Sequence, residues 1–138
     1  MKQLRLSLLP LLLLALLANS CKTRPSGGSL GGSLTAETKA VCLLWKNDAF
    51  GCKKDRTAPR GEAIVAAFFS LKPTRAAIEE VLGKAENTSN FKGITKLEYY
   101  FDTQCSNGKM VPNSVYCVLE LNISDSSGKM ETGGVVCG

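Results

Sequence analysis

A short helix whose two ends are both encoded in the sequence is the feature that most constrains this chain. Pro73 cannot continue a helix from upstream, and Thr74 can cap a new one by accepting a hydrogen bond from a backbone N–H. Ile78 and Leu82 share one face because they are spaced at i and i+4. Gly83 ends the helix, since glycine adopts the left-handed cap conformation without a Cβ penalty. We expect the apolar face of this helix to cover a sheet formed downstream.

A second helix is predicted immediately upstream. The segment Glu62–Phe69 is rich in alanine, and Ile64, Ala67 and Phe68 fall on one side of it. The short connection Ser70–Pro73 would then join two antiparallel neighbours.

Three strands are predicted after a polar turn region at Glu86–Gly93. Apolar and polar residues alternate over Thr95–Asp102 and again over Ser114–Ile123. Ser124–Gly128 is a strong hairpin turn, and Lys129–Cys137 is a shorter, weaker last strand. The sequence therefore predicts an α+β fold, with two short N-terminal helices packed on a three-stranded antiparallel meander (αα-βββ).

The aromatic residues of this region are expected to serve the fold. Trp45, the only tryptophan, is interpreted as a core residue. Tyr99 and Tyr100 are neighbours on a predicted strand, so one should face the core and the other the surface.

The first twenty residues indicate export. Lys2 and Arg5 precede a leucine-rich run from Leu6 to Leu17, and small residues follow before Cys21. The run is shorter than the roughly 20 residues that a membrane-spanning helix needs. We therefore predict that residues 1–20 are a signal peptide.

The segment Leu17–Cys21 resembles the lipobox of bacterial lipoproteins, in which the cysteine is lipidated and becomes the first mature residue. The resemblance implies that a lipid on Cys21 attaches the protein to a membrane. The alternative is ordinary secretion, with cleavage after Ser20 and Cys21 in a disulfide. A count of thiols favours the alternative, because lipidation of Cys21 would leave five cysteines and hence one unpaired.

Residues 21–39 are predicted to be the lipid-attachment cysteine and a flexible linker. Glycine pairs among serines at Gly27-Gly28 and Gly31-Gly32 cannot bury enough apolar surface to order the segment. A linker of this kind suits an anchored domain better than a freely secreted one. Residues 40–138 are long enough for a single domain with its own core.

Composition excludes several classes of function. Without residues 1–20 the chain has 15 Lys and Arg against 12 Asp and Glu, a net charge of +3 that does not indicate nucleic-acid binding. The chain has no histidine and no CxxC motif, which argues against a Cys/His zinc site and against a Ser–His or Cys–His nucleophile pair. Glu79 and Glu80 point in different directions on their helix and are interpreted as solvated. We therefore expect no metal, no cofactor and no catalytic residue.

The six cysteines predict disulfides, since exported proteins fold in an oxidising compartment. Cys42 and Cys52 are close enough in sequence to close a small loop. Cys105 and Cys117 both have the parity of inward-facing strand residues, so a Cys105–Cys117 bridge is the first pairing expected. Cys137 is then left for Cys21 or for no partner.

The order of helix, tight turn, helix and meander resembles the SmpA/OmlA (BamE-like) family of bacterial outer-membrane lipoproteins. The residues that match are Thr74, Ile78, Val81, Leu82-Gly83-Lys84, Leu97-Glu98-Tyr99-Tyr100, Leu119-Glu120-Leu121-Asn122 and Ser127-Gly128-Lys129-Met130. Lys72-Pro73 stands where the family usually has Gly-Met, and Ala77 where it has an acidic residue. The resemblance therefore implies a shared fold rather than a shared role.

Two functions from different classes follow. The first is a non-enzymatic, lipid-anchored protein of the bacterial envelope that binds a protein partner through the exposed face of the meander or the loop between Cys105 and Cys117. Lys22, directly after Cys21, resembles the signal that directs lipoproteins to the outer membrane, facing the periplasm. The alternative is a soluble, secreted, disulfide-linked binding or inhibitor protein, similar to β-lactamase inhibitors.

Overall fold

The computed structural model of this chain describes residues 29–138. The predicted signal peptide, Cys21 and the first part of the predicted linker lie outside the described residues. Within residues 29–138 helices come first and strands follow, so the predicted α+β class is confirmed. The helices are α1 (Leu30–Ser33), α2 (Ala36–Lys46), α3 (Ala58–Leu71) and α4 (Arg75–Leu82), with a 3₁₀ turn at Ala49–Gly51. The strands are β1 (Asn87–Phe91), β2 (Ile94–Phe101), β3 (Cys105–Ser106), β4 (Lys109–Met110), β5 (Cys117–Ser124) and β6 (Met130–Cys137).

Helix α4 begins and ends where the sequence predicts. The Thr74 side chain accepts a hydrogen bond from Ala77 N at 3.3 Å, and Gly83 follows the helix at φ +83°. Gly83 has ψ 177°, so its conformation is extended rather than left-handed helical. Ile78 and Leu82 are fully buried, which stabilises the fold by roughly 1.5–3 kcal/mol for each side chain.

The linker prediction is wrong for residues 30–39, and the domain begins before residue 40. Leu30 and Leu34 are buried against the core despite the glycines between them, and α1 packs on α4. Helix α2 then starts after Thr35, whose side chain accepts a hydrogen bond from Thr38 N. Two leucines at i and i+4 are enough to order the short helix once another helix is available to cover them.

The main sheet has four strands where the sequence predicts three. The strands are antiparallel in the order β1-β2-β5-β6. The added strand, β1, occupies the region predicted to be a polar turn, and every one of its residues is exposed. Its sequence lacks the alternation of apolar and polar residues that would predict a strand. It pairs with β2 through backbone hydrogen bonds across a two-residue turn, Lys92-Gly93.

The core lies between one face of this sheet and the helices. Trp45 on α2 is fully buried, as predicted, with its ring in an edge-to-face contact with Phe101, the centroids 5.5 Å apart. Tyr99 is also buried, and its hydroxyl donates a hydrogen bond to Gly83 O at 3.0 Å. The strand residues that fill the core are Leu97, Tyr99, Phe101, Cys117, Leu119, Leu121, Ile123 and Met130.

The disulfide pairings differ from those expected. Cys52 pairs with Cys105, and Cys117 pairs with Cys137, so the predicted Cys105–Cys117 and Cys42–Cys52 bridges are both wrong. Cys117 and Cys137 face each other directly across β5 and β6, with Cα atoms 4.1 Å apart. The alternation of strand residues predicted the correct face of the sheet for Cys117, but it did not predict that Cys137 is the cysteine opposite it. Cys42 is the free cysteine among residues 29–138, and it is buried.

Candidate interaction surface

The sheet has a second face that no helix covers in the part of the chain that the structure describes. We call it the open face. It follows from strand alternation: Leu97, Tyr99 and Phe101 point into the core, so the residues between them point outward. The residues of the open face on the four strands are Asn87, Ser89, Phe91, Ile94, Lys96, Glu98, Tyr100, Val118, Glu120, Asn122, Thr132, Gly134 and Val136.

The centre of the open face is a network of ion pairs and hydrogen bonds. Lys96 Nζ lies 3.0 Å from Glu120 Oε2 and 3.8 Å from Glu98 Oε1. Asn87 Nδ2 donates to Glu98, and Asn122 Nδ2 donates to Glu120. Each carboxylate of this network therefore has a partner on a neighbouring strand or on its own.

One end of the open face is apolar. Tyr100, Val118 and Val136 lie directly opposite one another on β2, β5 and β6 and form a row across the sheet. Tyr116 extends this row, because its ring stacks edge-to-face on Tyr100 with centroids 5.0 Å apart. The next residue back in the loop, Val115, is 72% exposed. We call these five residues the aromatic–valine row.

The other end of the open face is a shallow groove near the β1–β2 turn. Phe91 is 72% exposed, the same fraction as Val115, and stands opposite Ile94. Between Phe91 and Glu131 the groove encloses about 400 Å³. The open face therefore has apolar residues at both ends and charged residues in the middle.

The open face shifts the pKa of three of its side chains. The hydrogen bond to Glu120, followed by the Coulomb attraction of Glu120, raises the pKa of Lys96. Desolvation opposes the change at Glu120, but hydrogen bonds from Lys96 and Asn122 lower the pKa of that carboxyl. Burial beneath neighbouring side chains, with the nearby charge of Glu98, raises the pKa of Tyr100. At neutral pH Lys96 is therefore protonated, Glu120 is ionised and Tyr100 is neutral.

The tyrosines and glutamates discussed in the sequence analysis lie in different parts of the domain. Tyr100 reaches the open face and Tyr99 the core, as predicted. Glu79 forms an ion pair with Arg75, and the Glu80 backbone oxygen accepts a hydrogen bond from Lys46 Nζ. Cys21, the predicted lipidation site, lies outside the described residues.

The five cysteines expected to form disulfides all lie in the part of the chain that the structure describes. Four of them, Cys52, Cys105, Cys117 and Cys137, form the two disulfides, and Cys42 is 2% exposed. Burial raises the pKa of the Cys42 thiol to about 11, so this thiol is protonated and unreactive at neutral pH.

The alternation over Ser114–Ile123 places Tyr116 on the outward side, where the structure has it, but it places Val115 inward, and Val115 is instead 72% exposed. Sequence reasoning did not identify Phe91 as a surface residue of interest. Phe91 follows a run of small polar residues and precedes Lys92-Gly93, a two-residue turn whose glycine is the one signal available. Tyr116 could not be placed beside Tyr100, because fifteen residues lie between them and the contact depends on the path of the intervening loop.

Within residues 29–138 no group of three or more Cys, Asp or Glu side chains is placed to hold a metal ion. No helix in the same range is long and apolar enough to cross a bilayer. No protein-family model, curated protein or solved structure matches this chain. The function must therefore be argued from the residues themselves.

Proposed function

We propose that this chain is a non-enzymatic, lipid-anchored protein of the bacterial envelope that binds another protein through the open face. In this proposal a lipid on Cys21 holds the domain at the outer membrane, facing the periplasm, and the fold is a variant of the SmpA/OmlA architecture. The observation that supports binding best is the aromatic–valine row, in which Val115, Val136 and Tyr116 are 72%, 56% and 38% exposed.

The cysteine pairing supports the anchor. If Cys21 carries a lipid, one of the other five cysteines must stay unpaired, which argued against lipidation from the sequence alone. Cys42 is that cysteine, and its burial in α2 makes a free thiol harmless in an oxidising compartment. The four remaining cysteines pair among themselves, so none of them needs Cys21.

The start of the ordered domain sets the distance to the membrane. Helix α1 begins at Leu30, so eight residue steps separate Cys21 from Ser29. A chain of this length can reach at most about 30 Å. The proposed partner must therefore also lie close to the membrane surface.

The position of Tyr116 supports the open face as the binding surface. The sequence indicated two docking surfaces, the open face and the loop before β5. Tyr116 belongs to that loop and stacks on Tyr100 of the face, so the two form one continuous surface. Tyrosines with one apolar side and one hydroxyl contribute much of the binding energy in protein interfaces.

The anchor is tested by the intact mass of the protein from a membrane fraction, with Cys21→Ser as the comparison. A lipid-sized increment on a chain that starts at Cys21 is expected, and it should be absent from Cys21→Ser. An unlipidated chain that starts at Cys21 and is released into the medium would overturn the anchor.

Binding is tested separately by photo-crosslinking in intact cells. A photoreactive amino acid at Val136, in the aromatic–valine row, should give a discrete crosslinked protein, and Tyr116→Asp should abolish it. The same amino acid at Leu43, exposed on the helical side, is the matched control. Equal crosslinking from both positions, or none from Val136, would contradict binding through the open face.

A soluble, secreted inhibitor is the alternative function, and the disulfides favour it. The Cys52–Cys105 bridge holds the loop that contains β3 and β4 against the domain, next to the aromatic–valine row. A binding loop fixed in advance loses less conformational entropy on association, as inhibitors require. An unlipidated protein in the medium that crosslinks through Val136 would favour this alternative.

A further inference from the structure

A second surface of the domain lies where α3 runs beside the edge of the sheet. Strand β6 is the last strand in the order β1-β2-β5-β6, so one of its edges has no neighbouring strand within residues 29–138. Helix α3 packs along β6. Between them is a groove of about 400 Å³ lined by Glu62, Val65, Ala66, Phe69, Gly134 and Val135. We call it the β6 groove.

The free edge of β6 exposes backbone hydrogen-bonding groups. Gly138 N donates to Tyr116 O, which makes Cys117 and Cys137 a pair without mutual backbone hydrogen bonds. The pattern alternates along the strand, so Val136 and Gly134 direct their N–H and C=O groups to β5. Val135 and Gly133 therefore direct theirs outward, and no partner for these groups occurs within the described residues.

This edge lacks the features that usually protect an edge strand. From Thr132 to Cys137 it has no charged residue and no proline. Gly134 in the middle of this stretch has no side chain, and nothing lies within 4 Å of where a Cβ would be. An extended chain can therefore reach the edge.

The wall opposite this edge is an apolar stripe on α3. Val65, Ala66 and Phe69 follow Glu62 at i+3, i+4 and i+7, which places all four on one side of the helix. Phe69 is 56% exposed although it borders an apolar groove. A strand added to β6 would direct every second side chain against this stripe.

The charge of the groove distinguishes between possible occupants. Glu62 is the one charged residue that lines it, and no lysine or arginine pairs with it within residues 29–138. A second copy added through β6 would bring a second Glu62. Its own β6 strand contains Glu131 and no lysine or arginine, so that strand could not neutralise Glu62. An extended segment that carries a lysine or arginine beside its apolar residues would instead complement the groove.

We propose that the β6 groove binds an extended, apolar segment of another polypeptide, with a basic residue at one end, by adding it as a fifth strand to the sheet. The segment forms backbone hydrogen bonds with Val135 and Gly133, and its alternate side chains contact Val65, Ala66 and Phe69. This inference goes beyond the open face and does not depend on the lipid anchor.

The orientation of α3 indicates where the basic residue sits. A Cβ on Gly61 would meet Val135, so the adjacent Glu62 lies toward the C-terminal half of β6. An antiparallel strand would begin at that end. The basic residue is therefore expected at the N-terminus of the bound segment.

The test uses a fluorescein-labelled heptapeptide with an N-terminal lysine followed by alternating threonine and valine, so that the lysine and the valines all face α3. Binding to the purified full chain is followed by fluorescence anisotropy. Phe69→Glu should weaken binding by at least about tenfold, which corresponds to about 1.4 kcal/mol. Leu43→Glu is the matched control, because Leu43 is 58% exposed on another helix, and it should change binding less than about twofold.

Two modified peptides test strand addition itself. Valines that face α3 also direct their N–H groups to β6, so N-methylation of the central valine should abolish binding. N-methylation of the neighbouring threonine, which faces the other way, should preserve it. Equal loss with both peptides, or no binding below about 1 mM, would overturn the proposal.

The charge is tested by exchange. Glu62→Lys should weaken binding of the lysine peptide and strengthen binding of a peptide with glutamate in place of the lysine. No change in either direction would overturn the basic-residue part of the proposal. A concentration-dependent dimer of the chain that Phe69→Glu dissociates would overturn it in favour of a second copy.

Discussion

Arg56 Nη1 lies 2.8 Å from Glu86 Oε1, and the two side chains are only 2% and 6% exposed. The pair joins three parts of the fold. Arg56 Nε donates to Trp45 O on α2, and Arg56 Nη1 also donates to Tyr100 O on β2. Glu86 accepts hydrogen bonds from Phe50 N and Tyr100 N. The Arg56 guanidinium also lies over the Trp45 ring, 5.6 Å from its centroid.

Removal of one member of this pair should strongly destabilise the fold. Arg56→Met keeps much of the side-chain length but leaves the Glu86 carboxylate buried without its cation. We expect the free energy of unfolding to fall by about 3–5 kcal/mol, measured by urea denaturation. Arg60→Met is the control, since Arg60 and Asp55 are over a third exposed, and it should cost less than about 1 kcal/mol. Equal losses in the two variants would contradict the structural role of the buried pair.

Gly51 should tolerate no side chain. It has φ +68°, and a Cβ there would lie 2.5 Å from Phe101 Cα. Gly51→Ala should therefore lower the free energy of unfolding by more than about 2 kcal/mol, because it adds both a backbone strain and a collision. Gly134→Ala should instead raise it by about 0.5–1 kcal/mol, since that strand position has open space for a methyl group. Thermal unfolding of the two variants should give midpoint shifts of opposite sign.

The two disulfides should contribute unequally. Cys52 and Cys105 are 53 residues apart, whereas Cys117 and Cys137 are 20 apart. A bridge that closes a longer loop removes more entropy from the unfolded chain, by about 4 kcal/mol here against about 3 kcal/mol for the shorter loop. Urea denaturation should therefore show Cys52→Ser/Cys105→Ser to be less stable than Cys117→Ser/Cys137→Ser. The reverse order would show that native contacts, rather than loop closure, decide the difference.

The Cys42 thiol should react only after unfolding. It is buried, and its protonated form is favoured because burial raises its pKa to about 11. Iodoacetamide at pH 8 should leave Cys42 unmodified in the native protein and label it in urea, as measured by mass spectrometry of its peptide. A label on Cys42 in the native protein would show that α2 opens more readily than its packing indicates.

The same thiol should make stability decline at high pH. Its ordinary pKa of 9.0 in the unfolded chain is lower than its value of about 11 in the fold. Between these values the unfolded state binds fewer protons, so the free energy of unfolding falls as pH rises, by at most about 1.4 kcal/mol per pH unit. The contribution is constant below about pH 8. Urea denaturation at pH 8 and pH 10 should show a smaller decline for Cys42→Ala than for the unmodified chain.

Features with local chemistry were predictable from the sequence. Both ends of α4 depend on residues directly next to the helix, the Thr74 side chain and the Gly83 backbone, and both are where the sequence places them. The alternation in β2 and β5 is equally local, and it correctly separated Tyr99 from Tyr100. The residues of the open face on β2 and β5 follow from this alternation, so this part of the candidate surface could be predicted from the sequence.

Features that depend on distant contacts were not predictable. Leu30 and Leu34 look like linker residues until α4 covers them. Strand β1 exists because β2 offers it a backbone edge, and its own side chains remain exposed. The partner of Cys117 depends on the register of β6, which parity alone does not determine. The contact of Tyr116 with Tyr100 likewise depends on the path of the loop between them, which the sequence does not determine.

The packing of α1 on α4 has a mechanical consequence. A pull on the chain from its N-terminal side acts first on α1, where Leu30 and Leu34 provide the burial and Ser29 makes a hydrogen bond to Glu80. The force does not act on the sheet at first. The Cys117–Cys137 disulfide also links β6, the last strand, covalently to β5, an inner strand. Detachment of α1 alone would release the chain up to Thr35 and lengthen the reach of the domain by up to roughly 20 Å. If the chain is anchored as proposed, the first helix would then extend the tether under tension while the proposed binding surfaces stay folded.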